Sequence, residues 1–292
     1  THHLLTPGLA AMLPGLDPSM HKGQAGRLLV VGGSPGLTGA PVLAALGALR
    51  AGAGLVTVAC PRGIEPVLKS GSPDVMTLPL GEGEAWSAAM AGELRARLDA
   101  YDAVVLGPGI GRGPDTAEFL AALGTDLPPC AWDADALYWL AANPRRLESA
   151  VITPHPGEAA RLLNGTIAQV EADRLGCVRA LAAATGAVAV LKGPATAIAA
   201  SDADETGNVP VLLSPFAEPN LAVGGSGDVL AGVTGSLMAR ALSPLLAACL
   251  GVYWHGLAGR LVSGEFPYRG NLASEIVQAL PRALTEWLDA DC

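Results

Sequence analysis

Aromatic side chains make up only 4% of this 292-residue chain and charged ones only 15%, while hydrophobic residues reach 50%. So few aromatics exclude a fold packed around large rings. They favour close helix-on-sheet contacts made by Ala, Leu, Val and Gly. Positive charge is also short: 18 Lys and Arg against 27 Asp and Glu leave a net charge of −9. Nucleic acid is excluded as a partner on that ground, because a phosphate backbone demands a basic patch. A nucleotide is not excluded, since backbone N–H groups can hold phosphates inside an acidic protein. The 5 cysteines, Cys60, Cys130, Cys177, Cys249 and Cys292, include no C-x-x-C pair. That argues against a disulfide framework or a zinc site and for a reducing cytoplasm. The longest uncharged run, Leu28 to Leu49, is broken by glycines, Pro35 and Pro41. It reads as strand, loop and helix, so no membrane span is expected. No charged segment followed by an apolar stretch opens the chain, so no signal peptide is expected either. Thr1, His2 and His3 are set aside as foreign to the fold.

Glycine, by contrast, is abundant, at 37 residues. Short apolar runs at Arg27–Val31, Leu55–Ala59, Ala103–Leu106, Cys130–Trp132, Ala150–Ile152 and Ala187–Leu191 are bounded by turn residues. Continuous apolar runs of this length are what strands buried on both faces look like. Helical patterns at Ala40–Ala51, Asp115–Leu123, Pro156–Leu163 and Gln169–Ala184 alternate with them. The alternation predicts an α/β fold: a mostly parallel sheet with helices on both faces, in one domain spanning 1–292. Beyond Lys192, Thr196–Ala200 and Val209–Leu213 read as a hairpin around residues 201–204. Helices at Gly227–Ala241, Leu245–Ser263 and Leu272–Leu288 follow.

In such sheets ligands bind beyond the carboxyl ends of the strands, so the loops there carry the functional reading. Gly224-Gly225-Ser226-Gly227-Asp228 opens a helix. Its glycine amides and the helix dipole can cradle a phosphoryl group, with Asp228 beside it to move a proton. Gly107-Pro108-Gly109 admits close approach of a ligand. Thr153-Pro154-His155-Pro156-Gly157-Glu158 holds His155 on a stiff loop, and Glu158 is suited to organise Mg2+ through water. Asp133 and Asp135 can both be helix caps, the role favoured for Asp135 at least. Lys192 can reach a nucleotide phosphate, and Thr196 adds a hydroxyl. His21-Lys22-Gly23 reads as a solvated turn. His155 and His255 form no zinc pattern with any cysteine.

Taken in order, these motifs resemble those of the ADP-dependent NAD(P)H-hydrate dehydratases of the ribokinase-like superfamily. Arg50-Ala51-Gly52-Ala53-Gly54-Leu55-Val56 and Tyr253-Trp254-His255-Gly256 belong to the same set. The resemblance covers His21 to Leu288 and implies a three-layer α/β/α sandwich with a mostly parallel central sheet. It implies dehydration of NADHX and NADPHX with ADP, or ATP, as co-substrate and Mg2+ as cofactor. Ala40, Gly109, His155 and Asp228 would contact the hydrate. Lys192, Gly193, Pro194, Ala195, Thr196 and Gly227 would contact the nucleotide, and Gly225, Ser226 and Gly227 would form the anion hole. A homo-oligomer and an epimerase domain or partner are further implications. The segment before the glycine run departs from the family's Asn-Pro-Gly-Met-Ala-Thr: here it is Glu218-Pro219-Asn220-Leu221-Ala222-Val223. Two alternatives share the fold. One is a kinase for a small vitamin precursor or sugar, and the other is a non-catalytic nucleotide-binding protein.

Overall fold

The computed structural model describes residues 2–15, 17–201 and 209–290. Its first half contains β1 (His2–Leu4), β2 (Arg27–Val31), α1 (Gly39–Arg50), β3 (Leu55–Pro61), α2 (Glu65–Gly71) and β4 (Met76–Leu80). Then come α3 (Ala88–Arg95), β5 (Ala103–Leu106), α4 (Pro114–Leu123), β6 (Cys130–Trp132), α5 (Asp135–Ala142) and β7 (Ala150–Ile152). The second half has α6 (Pro156–Leu162), α7 (Ile167–Ala172), α8 (Arg174–Thr185), β8 (Val188–Leu191), β9 (Ala197–Ala199) and β10 (Val211–Leu213). Three helices close it: α9 (Ser226–Ala239), α10 (Pro244–Glu265) and α11 (Ala273–Ala290).

All ten strands form one sheet in the order β1-β10-β9-β8-β7-β6-β5-β2-β3-β4. Every pairing is parallel except the two made by β9. The central strands are buried along their whole length, so both faces need cover. On one face Val30, Val105 and Ala131 pack with Val229, Val233, Leu250 and Ile276 of α9, α10 and α11. On the other, Leu29, Leu106 and Trp132 pack with Phe119, Leu137 and Leu181 of α4, α5 and α8. This is the expected three-layer sandwich, with both cores built mainly from aliphatic side chains.

The expected run Leu28–Leu49 resolves into β2, a loop and α1. By length and composition α10 could span a membrane, but 78% of its most apolar window is buried inside the fold. It is a core helix.

Several expectations need correction. His2 and His3 belong to the fold: with Leu4 they pair in parallel with Val211–Leu213 at one sheet edge. Met76–Leu80, unassigned from the pattern, is the opposite edge strand. It contains Pro79, which an edge tolerates because one side of the strand needs no donor. The single helix expected at Gln169–Ala184 is two, because Asp173 leaves helical geometry and caps the second helix by accepting from Gly176 N–H at 2.8 Å. The expected antiparallel pair is present as β9 and β10, while the turn expected between them falls outside the described residues except for Ser201.

Candidate active site

Helix α9 starts on Gly225, whose φ of +93° is open to glycine at little cost. A β-carbon there would also press on Leu43 of α1, at 2.5 Å. Ser226 N–H turns back to Val223 O (3.2 Å), and the first amide bonded to the Gly225 carbonyl is that of Val229 (3.1 Å). The amides of Gly225, Gly227 and Asp228 have no acceptor among the described residues. They make a concentrated donor set at the positive end of a 14-residue helix. Ser226 contributes its hydroxyl instead, 3.3 Å from Nε2 of the buried His255 on α10.

Opposite this helix start, Lys192 at the end of β8 donates from Nζ to Asp133 Oδ1 at 2.8 Å. The same carboxylate oxygen accepts from Thr153 Oγ1, also at 2.8 Å. Asp133 follows β6, Thr153 follows β7 and Lys192 follows β8, so three adjacent parallel strands deliver one triad, with Asp133 and Thr153 buried and Lys192 partly exposed. A β-carbon on Gly227 would lie 3.0 Å from Lys192 Nζ. The ammonium thus stands directly against the amide cradle. Burial alone would lower the lysine's affinity for a proton, but Asp133, Glu158 and Asp228 reverse this and hold it charged.

Asp228 sits in the first turn of α9 and accepts no hydrogen bond from the described residues. Burial pushes its carboxyl up to about 8, with Asp133 adding to the rise and Lys192 opposing it. Glu158 is pushed up to about 7 by burial as well, against the pull of Lys192. His155 caps α6: its Nδ1 accepts from Gly157 N–H (3.0 Å) and Glu158 N–H (3.3 Å). Nε2 therefore carries the ring hydrogen and faces Glu158 Oε1 at 3.4 Å. Glu158 Oε2 accepts from His155 N–H, which completes a capping box. Burial first, then Lys192, lower the histidine's proton affinity, so it is neutral near pH 7.

These groups line one cleft of about 640 Å³ at the carboxyl edge of the sheet. His155, Glu158, Lys192, Gly193, Pro194, Thr196, Gly225, Ser226, Gly227 and Asp228 all border it, as do Glu218 and Val223. Ala195 does not; it holds the loop in a left-handed conformation (φ +50°) and bonds its N–H to Phe216 O. Ala40 and Gly109 also fall outside the lining. They are brought together beside it, since a β-carbon on Gly109 would sit 3.2 Å from that of Ala40. Asp135 does not cap α5: its carboxylate accepts from Gly111 N–H (3.0 Å) and pairs with Arg112. Asp133 is likewise no cap but the lysine's counter-ion. The usable signal was its place directly after a buried strand, at the edge where ligands bind. The apolar wall of Phe216, Leu221, Leu230 and Val252 comes from a loop, a short 3-10 turn and two helices, and has no periodic sequence signature.

The architecture and the site define a class: a ribokinase-like α/β fold with open helix-start amides, a lysine and a partly buried acid in one cleft. Residues 28–282 match the family model described as NAD(P)H-hydrate dehydratase. The chain belongs to that family. It is 42% identical over 284 residues to the bifunctional NAD(P)H-hydrate repair enzyme Nnr of Moorella thermoacetica, covering 94% of this chain and 52% of that protein. The chain thus spans about half the length of this curated relative. It is 38% identical to the ADP-dependent (S)-NAD(P)H-hydrate dehydratase of Neisseria meningitidis, over 89% of this chain and 85% of that one. Among solved structures, the ADP/ATP-dependent NAD(P)H-hydrate dehydratase of Bacillus subtilis, co-crystallised with ATP/Mg2+, superposes with a TM-score of 0.79. That pair shares 28% identity and covers 97% of this chain and 98% of the other.

Proposed function

We propose that this chain dehydrates hydrated NADH and NADPH, consuming ADP or ATP. The observation that carries the reading is the meeting of Asp228, Lys192 and the free amides of α9 in one cleft, in a chain of this family. Hydroxide is a poor leaving group, and phosphate is a good one. Asp228 takes the proton from the ring hydroxyl as its oxygen forms a bond to the terminal phosphorus of the nucleotide. The bond from that phosphorus to the bridging oxygen breaks, and ADP leaves as AMP. The Gly225 and Gly227 amides and Lys192 hold the charge that develops on the transferred group. The ring nitrogen's lone pair then expels phosphate. Loss of a proton from the neighbouring ring carbon restores the dihydropyridine.

Ala40, Gly109 and His155 contact the hydrate in this reading, and Lys192 to Thr196 with Gly227 contact the nucleotide. Neutral His155 offers its Nε2–H as a donor without adding charge. Among the described residues no group of three metal-binding side chains occurs. Carboxylates alone still fit Mg2+, which commonly keeps several waters and leans on substrate phosphates. Glu158 would hold it through water, and its chemistry would be to neutralise the nucleotide phosphates. A homo-oligomer, a cytoplasmic setting suited to the free thiols of Cys60, Cys130, Cys177 and Cys249, and an epimerase domain or partner complete the proposal.

The test is an assay of the purified chain on both hydrates with ADP and ATP supplied in turn. Restored dihydronicotinamide absorbance with stoichiometric AMP, or ADP when ATP is used, supports the reading. Phosphorylated small alcohols in place of restored coenzyme would point to a kinase.

A further inference from the structure

The segments that carry Gly109 and His155 both send an arginine to Tyr138 of α5, outside the lining of the cleft. Arg112, on the loop that holds Gly109, places its guanidinium carbon 4.8 Å from the Tyr138 ring centre. Arg161, on the helix that His155 caps, places its own at 4.4 Å. The two cationic centres therefore lie within roughly 9 Å of each other, the sum of those distances. Two like charges held this close in a chain of net charge −9 run against its overall balance. Arg112 has an acid partner in Asp135 through Nε, and its outer nitrogens have no acid partner among the described residues. Arg161 has no acid partner among the described residues, and both side chains are exposed. Arg112 is near enough to the cleft to oppose protonation of His155 and to favour ionisation of Glu158.

We propose that Arg112 and Arg161 clamp the diphosphate bridge of the nicotinamide dinucleotide. This rests on the reading above, which lays the nicotinamide ring between Gly109 and His155. The next anionic group along that substrate is the diphosphate, one ribose away. The two elements that hold the ring each carry one of the arginines. A guanidinium presents paired donors that match phosphate oxygens, and stacking on Tyr138 fixes its plane before the ligand arrives. The pair serves ground-state binding and touches none of the reacting atoms.

The experiment uses the full chain with Arg112→Ala, Arg161→Ala and the charge-retaining Arg161→Lys, each checked for an unchanged thermal midpoint. Steady-state constants are measured for hydrated NADH and hydrated NADPH at saturating nucleotide. Each alanine variant is expected to raise KM roughly ten-fold for both hydrates, with kcat within about two-fold and the ADP constant unmoved. Arg161→Lys is expected to recover part of the loss. Affinity for the product NADH, read by fluorescence quenching, is expected to fall in parallel. Wild-type turnover with unaltered KM in the variants would overturn the clamp alone. A rise confined to hydrated NADPH would overturn it too, by moving the pair to the 2′-phosphate. A wild type inactive on both hydrates would remove the functional reading and the clamp with it.

Discussion

Asp228 is the residue on which the proposed chemistry turns. Its carboxyl, pushed up to about 8, exceeds the ordinary 3.8 because the charged form is buried beside Asp133 and other acids. A base must be ionised to accept a proton, so kcat/KM is expected to rise with pH through about 8 in a buffered rate profile. Stability runs the other way. The folded chain holds the Asp228 proton at pH values where the unfolded chain has released it. That contribution is complete below the ordinary carboxylate value and is lost as pH rises through about 8. Glu158, at about 7 against 4.5, adds a loss of the same sign. Asp228→Asn is therefore expected to gain thermal midpoint relative to wild type on going from about pH 5 to about pH 9. Equal midpoint profiles would contradict the burial argument.

The Lys192–Asp133 pair couples stability to the site. Lys192→Met leaves a nearly inaccessible carboxylate without its ammonium, and is expected to cost about 3 kcal/mol in denaturant unfolding. The double change Lys192→Met with Asp133→Asn is expected to recover most of that stability, while the raised KM for nucleotide persists. Recovery of both would show that Lys192 is structural only.

At the scale of elements, the site depends on how closely α9 and α1 approach. A β-carbon on Gly232 would strike the Ala44 carbonyl of α1, and one on Gly47 would lie 2.8 Å from the Val229 carbonyl of α9. The two glycines set the separation of the helix bearing Asp228 from the helix bearing Ala40. Gly232→Ala is expected to destabilise the fold by about 1–3 kcal/mol in urea unfolding and to lower kcat by displacing Asp228. An unchanged kcat would uncouple helix packing from the site.

Central and edge strands differ in how legible they are in the sequence. Buried parallel strands such as Ala103–Leu106 and Cys130–Trp132 announce themselves as apolar runs, and their bounds match the structure. Edge strands do not. Met76–Leu80 carries Pro79, and His2–Leu4 is too short and polar for any periodic signal. The cradle, Lys192 and His155 were legible because each stands directly after a strand or directly before a helix. Asp133 carried the same mark, but an acid ahead of a helix also fits a cap, and only the third dimension shows Lys192 on it. Arg112, Tyr138 and Arg161 belong to three separate segments, so nothing local joins them.

For the whole molecule, the carboxyl edge of one ten-stranded sheet gathers Asp133, His155, Lys192 and Asp228 into one cleft, from both halves of the chain. A ligand that binds only the folded state stabilises it by mass action. Mg·ADP at about a hundred times its Kd is expected to add about 2.7 kcal/mol to unfolding. Absence of any shift, with ATP equally silent, would contradict a nucleotide site in the cleft.

In the proposed reaction Asp228 takes the proton in a phosphoryl transfer whose phosphate is then discarded. Asp228→Asn tests it most directly, with ADP binding and turnover of hydrated NADH measured on the same preparation. ADP affinity is expected to stay within a few-fold of wild type while the turnover number falls by about 10³. Turnover within ten-fold of wild type would contradict it.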